Sequence, residues 1–314
     1  MRSDLLLLIA AVGLGATLAA AAQSDTSAGA AAQAGAPAAA ARALPEVTVR
    51  ASRAKLWPKV SSFVNGITDV ENGYGLARWQ TPVCPLVSGL NRQEGEFILE
   101  RVTEVARAAA VPLAGEQCHA NLLILVTRQP TELLQAMDRR DHWVTFGEAP
   151  ALTVDEFIGT PRPVKVWYNS MMTAPGGTPL VAGAPPDVQL LGGGLHSPTT
   201  YYGPGFAGHS HIVSLFVYGF QHVYVIVDER QLHGVMWGQL ADYVAMVGLA
   251  QIKPNANLGD ARTILKLFAG SPQAAPAGMS DWDQLFLKSV YATEQSSRVQ
   301  RSLIARRIVH ELAP

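Results

Sequence analysis

The chain has 314 residues and a formal net charge of −1, with 24 Lys and Arg against 25 Asp and Glu. That balance gives no electrostatic footprint for nucleic acid or for an anionic membrane surface. The length suits one large domain or two small ones.

Arg2 precedes the apolar run "LLLLIAAVGLGATLAAAA" (5–22), which closes on small residues. Charge, length and flanks are those of a secretory signal peptide over residues 1–22, cleaved near Ala22. The alternative is a retained anchor, for which the run is barely long enough. No Cys follows the run, so a lipid-anchored form is not expected. Residues 23–56 read as a tether, because the Ala/Gly/Ser-rich part, 23–43, has no large apolar side chain to bury. Within it "LPEVTVRA" (44–51) alternates as an edge strand would. Export to an oxidising compartment, periplasmic or secreted, makes a disulfide between Cys84 and Cys118 the natural reading. It would add about 3–4 kcal/mol in the chain-entropy account. A catalytic thiol is the alternative.

Residues 57–314 read as one globular domain. In "RQEGEFILERVTEVARAAA" the residues Phe97, Ile98, Val102, Val105 and Ala109 fall on one helical stripe. Pro112 and Gly115 stop it. "ANLLILVT" reads as a buried strand, and "PTELLQAMDRR" as a helix capped by Thr131. "PVKVWYN" is a strand with Val164, Val166 and Tyr168 on one face and Lys165 and Trp167 on the other. The Gly/Pro-rich stretch 174–208 is a functional loop or a mobile insertion. "HIVSLFVYGF" and "HVYVIVD" read as neighbouring strands broken at Gly219.

A long helix is expected over 235–251, followed by "DARTILKLF" as a helix capped by Asp260. Two more helices open at capping boxes, Ser280 with Asp283 and Ser297 with Gln300. On the last one Val299, Leu303 and Leu312 are expected inside, with Arg298, Arg301, Arg306 and Arg307 on a solvated face. The fold class is α+β, a mixed β-sheet packed against helices with a helical C-terminal part.

"VCPLVSGL", "CHANLLILVT", "VKVWYN", "GQLADYVAMVGLAQI" and "MSDWDQLFLKSVYATEQSS" together resemble a family of bacterial exported proteins with a degenerate zincin-like, metallopeptidase-like domain. The order of elements is similar to that of zinc peptidases of the zincin type, whose central helix carries H-E-x-x-H-x-x-G-x-x-H. Histidines one turn apart share a helix face and reach one zinc ion, and the glutamate activates the bound water. Laying Gly248 on the motif's glycine puts Ala241 and Ala245 on the two histidines, Asp242 on the glutamate and Gln251 on the third ligand. Alanine has no lone pair, and an amide oxygen is a poor zinc ligand. Ala241, Ala245 and Gly248 instead make one helix face small, which suits close packing on a sheet. Asp242 also has a plain reading as an acid near a helix N-terminus.

The resemblance therefore implies an exported, non-catalytic binding or structural module without a cofactor. Its partner would be an envelope protein or peptide, with no membrane span after signal cleavage. The alternative is a divergent metallohydrolase holding zinc with His209 and His211, which share a strand face, and His196 or His222. Tyr201, Tyr202 and Phe206 are candidate binding residues, since aromatic side chains on a long loop suit recognition. No G-x-S-x-G and no phosphate loop occurs.

Overall fold

A computed structural model describes residues 44–68, 75–173, 181–182, 201–202, 217–295 and 299–313. Among them is a four-stranded mixed sheet in the order β1-β2-β6-β3, from β1 (Pro85–Ser88), β2 (Leu122–Thr127), β3 (Val164–Thr173) and β6 (Val217–Asp228). The first three in that order are parallel, and β3 lies antiparallel on the edge. Two further short strands, β4 (Val181–Ala182) and β5 (Tyr201–Tyr202), pair with each other. The stretch 174–208 expected as a loop therefore contains a short strand pair, and its other residues from 174 on lie outside the described ones.

The connections decide the layers. Between β1 and β2 runs α2 (Arg92–Ala108), and β6 leads to α5 (Trp237–Leu249). Both helices pack side by side on one sheet face, where Leu122, Ile124, Val126, Val223, Val225 and Val227 join the main core. The chain from β2 to β3 passes through α3 (Pro130–Phe146) and α4 (Ala151–Gly159), whose Leu134, Phe146, Val154 and Ile158 meet Tyr224 and Ile226 on the opposite face. Period-2 alternation explains how one strand feeds two cores. The helical C-terminal part, α6 (Asp281–Ala292) and α7 (Gln300–Leu312), closes the main core.

Several expectations need correction. "LPEVTVRA" is not an edge strand but the start of α1 (Leu44–Ile67), so helix begins inside the expected tether. Leu56, Val60, Phe63, Val64 and Ile67 meet the core at helical spacing, and that burial overrides local alternation. On α2 the buried residues are Ile98, Val102, Val105 and Ala106, while Phe97 is exposed. Thr131 does not cap α3; Gln129 precedes Pro130, which occupies the first turn where its missing N–H costs nothing. The two strands expected around Gly219 are one strand, β6, with a register shift opposite Asn169 and Ser170. "DARTILKLF" forms only a 3-10 turn, Ile264–Phe268, capped by Thr263 rather than Asp260. The Ser280–Asp283 capping box forms as expected. Ser297 lies outside the described residues, α7 starts from Val299 without a side-chain cap, and its buried face is Ile304, Ala305, Ile308 and Val309. Val299 and Leu303 are exposed.

Cys84 and Cys118 are joined, with Cα atoms 5.9 Å apart. Cys84 sits just before β1, and Asn121 before β2 ties the same turn through Oδ1 to the Cys84 N–H and Nδ2 to the Pro82 carbonyl. Among the described residues no helix is long and apolar enough to cross a membrane.

Candidate functional site

Helix α5 is nearly engulfed: every residue from Gln239 to Leu249 except Tyr243 is buried. At its start Gln239 accepts from the Met236 N–H and donates to the carbonyls of Pro272 and Pro276. One amide thus answers an orphan N–H of the first turn and fastens the helix to the following loop.

Its other end has no glycine cap, so the last carbonyls need partners from elsewhere. They find three aromatic donors. The Tyr168 hydroxyl donates to Val247 O at 2.8 Å and lies 3.2 Å from Ala250 O. Trp79 Nε1 donates to Gly248 O at 2.9 Å, and the Tyr291 hydroxyl to Leu249 O at 2.6 Å. Burial pushes both phenols up, so they stay protonated donors.

The four motif positions fall as follows. Ala241 and Ala245 are wholly buried in the main core. Beside them Gly248 meets β2: a Cβ there would lie 3.0 Å from Leu122 Cδ1, so the small face does let the helix approach the sheet. Gln251 is half-buried and its Oε1 accepts from the Ala77 N–H at 3.3 Å.

Asp242 is 3 % exposed, and its carboxylate is engaged. Arg101 of α2 reaches it with Nε at 2.6 Å from Oδ1 and Nη2 at 3.3 Å from Oδ2. The Met279 N–H donates to Oδ2 at 2.6 Å. A Cβ on Gly278 would come within 2.7 Å of the same oxygen, so the backbone approach requires glycine. Arg101 also holds Glu104 at 3.0 Å, and its guanidinium is shifted up, chiefly by the Asp242 bond. This forked pair locks α2, α5 and the segment before α6 together.

Of the alternative ligands only His222 is described. It is a half-buried residue on β6, stacked with Tyr224 at 6.2 Å and shifted down by burial. Tyr224 belongs to the cluster beneath α3 and α4, so His222 shares the sheet face away from α5. His196, His209, His211 and Phe206 lie outside the described residues, as do the side chains of Tyr201 and Tyr202, whose backbone forms β5. Among the described residues no three His, Cys, Asp or Glu side chains gather as a metal-binding group.

Sequence reasoning missed the partners of α5. Arg101 stands 141 residues from Asp242, and nothing local marks it. The absence of a glycine after Leu249 was the one available hint that side chains must cap that end. Comparison with family models, with curated proteins and with solved structures returned no match.

Proposed function

We propose that the chain is an exported, non-catalytic binding or structural module on a zincin-like scaffold. The observation that carries this reading is the state of Asp242. In the resemblance it holds the place of the water-activating glutamate, yet its two oxygens are taken by Arg101 and by the Met279 N–H. The two positions that would present imidazoles are alanines packed at zero exposure, where a larger ring would collide with the core.

The zincin-like assignment draws its support from the sequence resemblance, and from a mixed sheet with an antiparallel edge strand in which β6 leads into α5 and then a helical tail. Export draws its support from the N-terminal sequence and from the Cys84–Cys118 bond, which suits an oxidising compartment. The partner that the resemblance implies is an envelope protein or peptide.

Metal analysis of the purified, exported protein tests the reading. The expected content is well below one zinc per chain. Stoichiometric zinc, lost in a His209→Ala, His211→Ala double variant together with any peptidase activity, overturns it. Intact mass of the exported chain is expected to place its N-terminus near Gln23; a retained Met1 rejects the cleaved signal.

A further inference from the structure

A cavity of about 370 Å³ wraps the edge of β3 where α4, the start of β3 and the exit of α5 converge. Its size falls at the lower end of small-ligand sites.

Its charge is one-sided. Arg162, Lys165 and Lys253 all line it, against the single exposed carboxylate of Glu156. Lys165 is 3 % exposed, and its ammonium donates to the carbonyls of Phe157 and Ile158, the last turn of α4. Two of its three N–H groups are thereby used and one is left. Burial, and after it the neighbouring Arg162, lower the pKa of Lys165, while Asp228 opposes them. Arg162 itself is steadied by the Pro254 carbonyl at 2.7 Å and Asn255 Oδ1 at 3.0 Å. From the α5 side comes Tyr243, whose hydroxyl has no hydrogen-bond partner among the described residues. Its pKa is pushed up to about 12 by burial, with Arg162 pulling the other way.

The walls are flat and rigid. Trp167 packs edge-on against Phe157 at 4.9 Å and Phe146 at 5.1 Å, and its Nε1 is fixed on Asn169 Oδ1. Tyr243 is braced edge-on by Phe268 at 5.0 Å. An ammonium with one N–H to spare, a fixed guanidinium and a phenol hydroxyl without a partner among the described residues thus stand beside aromatic walls, donors for an anion next to flat apolar surface.

We propose that this cavity is a binding site for a small organic carboxylate with a flat apolar body: Arg162, Lys253 and the Tyr243 hydroxyl take the carboxylate, with Lys165 behind them, and Trp167 and Phe157 take the body. It deepens the binding-module reading by naming a ligand class, and rests on that reading only for the absence of turnover.

The test is calorimetric titration of the full exported chain with 2-naphthoate and with its uncharged isostere 2-naphthamide, each run in EDTA and again with added zinc. The expected result is one naphthoate per chain in both buffers, with naphthamide weaker by about tenfold or more. Arg162→Gln and Lys253→Gln are each expected to weaken naphthoate by about fivefold to tenfold while leaving naphthamide alone. Lys253→Gln removes no internal bond and covers the case in which Arg162→Gln disturbs the fold. Arg92→Gln, exposed on α2, is the control and is expected to change nothing. Equal affinity for the two probes, no saturation below about 1 mM naphthoate, or tighter binding of an N-acetylated, C-amidated tripeptide would overturn the proposal. Zinc uptake with naphthoate binding preserved would sink the non-catalytic reading alone.

Discussion

On the α5 side of the sheet the packing around the buried helix is tight: Ala241 and Ala245 are sealed, Asp242 is forked by Arg101, and aromatic donors hold the last carbonyls. On the α3–α4 side the buried cluster is small, built from aromatic edge contacts, and large side chains remain outside. Trp143 is 67 % exposed and Leu152 is 83 % exposed. The two sides meet at the edge of β3, where Tyr243 contributes from one a hydroxyl with no partner among the described residues and Lys165 contributes from the other a buried ammonium. The difference teaches that the sealed face of α5 is a poor place to admit a ligand. The seam between the layers is the better one.

Adding volume to the tight side should have the largest effect. Ala245→His puts an imidazole at a position with no exposure, so it must displace core atoms and bury a ring nitrogen without a prepared partner. The expected loss is about 3 kcal/mol or more, read as a lower urea midpoint. A variant with unchanged stability that gained zinc would mean the face is a vacated site rather than a packed one.

Next comes the ion pair. Asp242→Asn keeps the shape but places an amide against Arg101, whose side chain is one-third exposed and can turn toward water. That escape reduces the usual cost of breaking a buried pair, and about 2 kcal/mol is expected. A neutral outcome by the same measurement would show that the fork contributes no net stability, and would free Asp242 for another role.

The sequence made the interior of the sheet legible, because β2 and the second half of β6, Val223–Val227, are apolar runs and α2 has a strong stripe. It failed at edges and ends. Phe97 satisfies the stripe yet lies just outside it, and on α7 Leu303 was placed inside where its neighbour Ile304 is. A helix rotates about 100° per residue, so a one-residue error in phase exchanges the buried and exposed faces. Residues 44–51 alternate locally, and only the apolar spacing continued through Ile67 marks α1 as helix. The small face of α5 was legible, and it packs closely on the sheet. The helix's partners were not, since Arg101, Trp79, Tyr168 and Tyr291 are brought there by topology alone. The cavity at β3 was illegible for the same reason: Lys165 alternates as an outward strand residue should, and only α4 folding over it makes the ammonium buried.

The smallest expected effect lies on the open side, and its sign is informative. Leu152 stands in the first turn of α4, which has no side-chain cap at Pro150 and no acidic residue among its opening positions. The N–H groups there carry partial positive charge with nothing to balance it. Leu152→Glu removes a side chain that buries little and supplies the missing negative charge. The variant should therefore be more stable by about 0.3–0.5 kcal/mol, and the gain should shrink in high salt as screening grows. If Leu152 instead seals a contact with another chain in solution, the same substitution lowers the assembly's mass in light scattering. In that event the α3–α4 side is a second interface rather than an uncommitted surface. A hydrophobic side chain this exposed, replaced by a charge without loss, would confirm that the two faces differ in how much packing each demands.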